Sequence, residues 1–162
     1  MSPETQLEIV LRITVALVIG ALIGIEREYR GHAAGVRTLA MVSAGAAIFT
    51  AVGVFVAPAH ITDPTRIAAQ VVTGVGFLGA GAIFRAEDGV KGLTTAATVW
   101  VVAALGMAVG FGLYILAPAG AVLVLIGLVL VRPLEIRFLR PPRLPMRRHD
   151  DEVLESGGDP LN

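Results

Sequence analysis

Five long apolar runs separated by short polar connections dominate this chain, and the pattern predicts an all-α bundle of about five transmembrane helices. Crossing the hydrocarbon layer takes about 20 apolar residues at a rise of about 1.5 Å each. The runs are Leu7 to Ile25, Leu39 to Ala57, Ile67 to Phe84, Leu93 to Val109 and Phe111 to Val131. Glu8 and Arg12 interrupt the start of the first run, and Pro58 follows the uncharged second. The third is rich in glycine and carries Gln70. Pro118 predicts a kink in the first third of the fifth. Almost nothing separates the fourth run from the fifth, so the two predict a tight helical hairpin around Gly106, Gly110 and Gly112. The alternative is four spans, with one short segment re-entrant or interfacial.

Composition strengthens the membrane reading. Of 162 residues, 55% are hydrophobic and 16% charged, with a mean hydropathy of +0.76; soluble domains carry about 25% charge. The 13 basic and 13 acidic residues cancel, which argues against nucleic acid as a partner. Their placement is uneven. Arg27, Arg30, Arg37, Arg85, Lys91 and six arginines after Val131 fall on alternate connections, whereas Arg66 stands alone between the second and third runs. Basic residues gather on the cytoplasmic side, so the bias predicts an outside N-terminus and a cytoplasmic C-terminus. Residues 1–131 read as a transmembrane domain and 132–162 as a polar cytoplasmic tail whose prolines and clustered acids give it little chance of forming a core. A sharper reading of its basic start is a segment that holds anionic lipid. Glu4, Glu8 and the absence of an early basic residue favour a retained first helix over a cleaved signal peptide. With no cysteine, disulfides and thiol chemistry are excluded.

Candidate chemistry is sparse. Gly74, Gly76 and Gly79 match the glycine spacing of dinucleotide-binding loops, but that spacing needs a preceding strand, and here it lies inside an apolar run. Gly74, Gly76, Gly79 and Gly81 read instead as helix-packing positions, because small residues let backbones approach closely in lipid; unwinding to line a substrate path is the minority reading. Arg12 is the costliest residue of the first run. It reads either as an arginine snorkelling to the outer interface, paired with Glu8 or Asp63, or as part of an outward polar site with Asp63, Arg66 and Gln70. At the other end, Glu26, Arg27, Glu28 and Arg30 close the first helix, and Gly35, Arg37 and Thr38 open the second. On pattern alone these charges are a solvated helix end. Thr94 and Thr95 precede an apolar stretch reaching Trp100 and read as hydroxyl caps of the fourth helix. His32, His60 and His149 lack partners at metal spacing, and no nucleophile–base pair occurs. The expectation is a protein without cofactor, metal site or enzymatic activity.

Three ordered stretches carry a family resemblance. G-A-L-I-G-I-E-R-E-Y-R-G-H-A-A-G-V-R-T (Gly20 to Thr38), D-P-T-R-I-A-A-Q-V-V-T-G-V-G-F-L-G-A-G-A-I-F (Asp63 to Phe84) and V-K-G-L-T-T-A-A-T-V-W (Val90 to Trp100) resemble the signatures of MgtC/SapB membrane proteins. The resemblance covers roughly Arg12 to Gly112 and departs at Leu39, where the family motif often has histidine. It implies a multi-pass bacterial inner-membrane protein linked to magnesium homeostasis and, in virulence-associated members, to survival in macrophages. It also implies regulation rather than transport, through contact with the F-type ATP synthase or another membrane protein. The virulence-type members carry a soluble C-terminal domain, so this chain is expected to be a member without it. By position, Arg12, Glu26, Arg27, Arg37, Thr38, Asp63, Arg66, Gln70, Thr94, Thr95 and Trp100 are the signature polar or aromatic residues. The residues thus predict a regulator that packs its glycine-rich helices against a partner or a second copy as a homodimer within the lipid bilayer; a small ion transporter or channel with an outer polar vestibule is the alternative.

Overall fold

Five helices form where the apolar runs lie. The computed structural model describes residues 2–55, 63–86 and 89–134, so Pro58, His60, His149 and the tail from residue 135 onward lie outside the described residues. The helices are α1 (Pro3–Tyr29), α2 (Val36–Phe55), α3 (Pro64–Gly81), α4 (Leu93–Gly110) and α5 (Leu116–Leu134). Met1–Leu128 packs as one unit; of the second, Val129–Asn162, the described part is the end of α5. Three helices, α1, α2 and α4, are long and apolar enough to cross a membrane. In α3, Arg66, Gln70, two threonines and repeated glycine dilute the hydropathy, and the apolar part of α5, Leu116–Val131, is shorter.

Each helix end has a local cause. Ser2 caps α1 by accepting from Thr5 N–H at 3.3 Å, and Pro3 follows where its missing N–H costs nothing. At its other end Gly31 takes φ +72°; Gly31 N–H then reaches the Glu28 carbonyl at 2.9 Å and His32 N–H the Arg27 carbonyl at 3.0 Å. The same paired closure ends α4, with Gly112 at φ +82°, Gly112 N–H on Val109 O at 2.8 Å and Leu113 N–H on Ala108 O at 2.9 Å. Pro118 does not kink α5: the helix begins at Leu116, which puts the proline in the first turn, where no backbone bond is lost.

Between α3 and α4 the expected span end gives way to a β-hairpin. Strand β1 (Phe84–Ala86) pairs antiparallel with β2 (Gly89–Lys91), Phe84 opposite Lys91 and Ala86 opposite Gly89. The chain then enters α4 through Gly92 at φ +90°, so Gly92, and neither Thr94 nor Thr95, is its N-cap. A Cβ at Gly92 would fall 1.9 Å from the Ala82 carbonyl oxygen. Gly92→Ala should therefore lower stability by about 2 kcal/mol or more, combining left-handed strain with a backbone clash. A denaturant titration in detergent micelles that left the midpoint unmoved would refute this.

The centre of the fold is α2, pressed between α1 and α4. Its buried positions cover about half of its circumference and, apart from Leu39, are small: Ala40, Ser43, Ala44, Ala46, Ala47, Thr50, Ala51 and Gly53. A Cβ at Gly20 of α1 would lie 2.4 Å from the Leu39 oxygen, and one at Gly24 would lie 2.6 Å from the Val36 Cα. On the other flank, a Cβ at Gly106 of α4 would sit 2.2 Å from the Ser43 oxygen, and one at Gly110 would meet Thr50 at 2.7 Å. Two G-x-x-x-G pairs thus dock onto α2 from both sides, antiparallel from α1 and parallel from α4. Lipid supplies no hydrophobic drive between helices, so this close backbone approach is where the van der Waals energy arises. It also corrects the hairpin expectation, since Gly106 and Gly110 serve the α2–α4 contact and only Gly112 serves the turn. Elsewhere the surface is apolar: Leu7, Leu22, Phe49 and Ile115 are exposed, and Phe77 is 81% exposed. So much apolar surface suits a hydrocarbon surround.

Candidate functional site

The buried face of α1 is Arg12, Ala16, Ile19, Gly20, Ile23, Gly24 and Arg27. These spacings trace one helical stripe, and an arginine stands at each end of it, about 22 Å apart along the axis. Placing a charge on a buried stripe is expensive unless hydrogen bonds compensate it. Both arginines meet that condition by reaching across to α4.

Arg12 is 8% exposed. Its Nη1 donates to the Gly110 carbonyl at 2.6 Å, and its Nη2 pairs with Glu8 one turn earlier. The guanidinium lies over the rings of Phe55, at 4.8 Å, and Tyr114, at 5.7 Å. Gly112 completes the pocket, for a Cβ there would stand 3.1 Å from Nη2. The Gly110 carbonyl is one of the orphan acceptors at the end of α4, where the helix dipole also favours a cation. Arg12 therefore does not snorkel. Of its two expected partners, Glu8 takes the pairing, while the side chain turns inward to close α4. Asp63, Arg66 and Gln70 are exposed at the start of α3, whereas Arg12 is buried.

Arg27 is 2% exposed, and its Nη2 donates to Thr95 Oγ1 at 3.2 Å. Beside it, Glu26 pairs with Arg30 Nε at 2.6 Å and is itself largely buried, its Oε2 without a hydrogen-bond partner among the described residues. Glu28 spans the connection, accepting from Val36 N–H at 2.8 Å to cap α2, with its carboxylate filling the space over Gly35. The expectation of a merely solvated helix end fails for Glu26 and Arg27. Periodicity could have shown this, because Arg27 falls on the same stripe as Ile19 and Ile23. Thr95, read as a cap, is buried as the acceptor that fixes Arg27, whereas Arg37, Thr38, Thr94 and Trp100 are exposed.

The Arg27–Thr95 clamp joins the first and third signature stretches of the sequence, whereas Arg12 and Gly110 lie outside all three. A family model described as the MgtC family matches residues 13–137. The chain belongs to the MgtC family. Among curated relatives, the "Uncharacterized protein slr0014" of Synechocystis is 47% identical over 78% of this chain and 53% of its own length. The "Putative magnesium transporter YhiD" of Escherichia coli K12 is 42% identical over 82% of this chain and 64% of its own length. Protein MgtC of Salmonella typhimurium LT2 is also 42% identical, over 82% of this chain and 56% of its own length. The chain thus spans little more than half the length of these relatives. No solved structure matches it significantly. The membrane reading and the helical bundle stand with the family.

The glycines of α3 behave differently from those of α1 and α4. A Cβ at Gly79 would lie 3.6 Å from the Ala96 oxygen of α4, an ordinary contact, while one at Gly74, Gly76 or Gly81 would meet nothing within 4 Å among the described residues. Packing within the chain therefore falls on Gly20, Gly24, Gly106 and Gly110, which the reading of the third run passed over. Their four-residue spacing was the available signal.

Proposed function

We propose that this MgtC-family chain is a non-enzymatic regulatory protein of the bacterial inner membrane, multi-pass, with its N-terminus outside and its C-terminus cytoplasmic. It serves magnesium or ion homeostasis by contact with another membrane protein, an ATP synthase or a transporter by family resemblance, or with a second copy. The observation that carries this reading is the vacant small-residue face of α3. Thr73, Gly76, Phe77 and Ala80 are exposed, Gly76 and Ala80 are one turn apart, and a Cβ at Gly76 would meet nothing within 4 Å among the described residues. A small residue four positions from another is the feature that lets a neighbouring helix come close in lipid. The two buried arginines support the same reading, since each is engaged with an acceptor of α4 and holds the bundle closed.

The full chain reconstituted in liposomes should carry no Mg2+, K+, proton or phosphate flux above that of empty vesicles. In membranes, crosslinked capture of a partner should fall about tenfold or more in Gly76→Leu with the unfolding midpoint unchanged. Robust Mg2+ flux abolished by Asp63→Asn would instead establish the transporter reading suggested by the name of the Escherichia coli relative.

A further inference from the structure

On the other flank of α3, about 200° around the helix from Gly76, an open apolar groove of about 540 Å³ runs between α2 and α3. Phe49, Ala46, Val71 and Val75 line its walls, and Gly45 and Gly74, where an added Cβ would meet nothing within 4 Å among the described residues, leave it deep. Its volume lies within the range of small-molecule sites. One polar side chain, Gln70, enters it. One turn before Gln70 stands Arg66, exposed, and no side-chain hydrogen bond or ion pair to it occurs among the described residues.

The order of chemistry along this stripe is informative. Arg66, Gln70, Gly74 and Leu78 follow one another at single-turn steps of about 6 Å, and side chains on a helix lean toward its N-terminus. The sequence of groups met is therefore cation, amide, open floor, hydrocarbon wall. A glycerophospholipid presents the complementary order over similar distances: phosphate, ester carbonyl, acyl chain. We propose that this groove binds one phospholipid, with its phosphate on the Arg66 guanidinium, an ester carbonyl accepting from the Gln70 amide, and an acyl chain laid over Gly74 against Phe49 and Val75. Since hydrocarbon contacts alone favour no particular lipid, selectivity rests on Arg66. An anionic headgroup is preferred over a zwitterionic one, whose ammonium the arginine repels. The site is independent of the Gly76 face.

Native mass spectrometry of the full chain, titrated separately with dioleoylphosphatidylglycerol and dioleoylphosphatidylethanolamine, tests this. The wild type should take up one phosphatidylglycerol about fivefold more tightly than phosphatidylethanolamine, and Arg66→Gln should erase that preference. Gly74→Leu, which fills the floor, should weaken binding of both lipids about tenfold or more. Should Gly74→Leu lower the thermal midpoint, Gly45→Leu on the opposite wall replaces it. Equal uptake of both lipids by all variants would overturn the site. So would loss of a dimer in Gly74→Leu with lipid uptake unchanged, which would make the occupant a second copy.

Discussion

Replacing Arg12 with leucine should cost about 3 kcal/mol of stability, the scale seen when one partner of a buried polar pair is removed. Leucine fits the apolar rim of Phe55 and Tyr114 but leaves the Gly110 carbonyl, an acceptor at a helix end, without its donor. Glu8 contributes much less, because its carboxylate is 45% exposed and can be hydrated. Glu8→Gln should thus cost less than about 1 kcal/mol. Arg12→Lys should fall between the two, keeping the charge at the end of α4 but losing the planar fork that reaches Gly110 and Glu8 together. Denaturant midpoints in micelles measure all three. If Arg12→Leu unfolded with the wild type, or Glu8→Gln matched it in cost, the role assigned to Arg12 would be wrong.

An effect as large for a single methyl, and larger for leucine, is expected at Gly106. A single methyl there is placed 2.2 Å from the Ser43 oxygen, and because the obstacle is backbone, no rotamer change relieves it. Gly106→Ala should lose about 3 kcal/mol as α4 is forced off α2, and Gly106→Leu should yield no folded protein. Gly20→Ala, 2.4 Å from the Leu39 oxygen, should behave like Gly106→Ala on the opposite flank. Gly45→Ala is the control. It lies on α2 with open space around it, so it should be neutral or stabilise by about 0.5–1 kcal/mol through helix propensity. The test is the spread between these glycines: equal midpoints for Gly106→Ala and Gly45→Ala would dissolve the argument that α2 is held by backbone approach.

The same contrast shows where the residues were legible. Glycine content drew attention to α3, yet among the described residues only Gly79 of its four highlighted glycines would bring an added Cβ within 4 Å of another helix. The pairs that matter, Gly20 with Gly24 and Gly106 with Gly110, keep a four-residue period, and period rather than abundance determines which residues share a face. Among the polar candidates, Arg12 was visible as a costly residue, whereas Arg27 was read as part of a solvated helix end. Neither acceptor was visible, since Gly110 and Thr95 lie 98 and 68 positions away in the chain.

What the amino-acid order fixes alone is the medium and the elements: apolar runs of membrane length, interrupted by proline, glycine and charge, can satisfy their backbone in hydrocarbon only as helices. Family membership is likewise written in the chain. Tertiary structure decided which helices touch, that α2 lies between α1 and α4, and that two arginines face inward to α4 rather than outward to water. The reason is physical. Helix formation is settled by neighbours within a turn, whereas the fate of a buried charge depends on an acceptor that only the folded bundle brings within 3 Å or so.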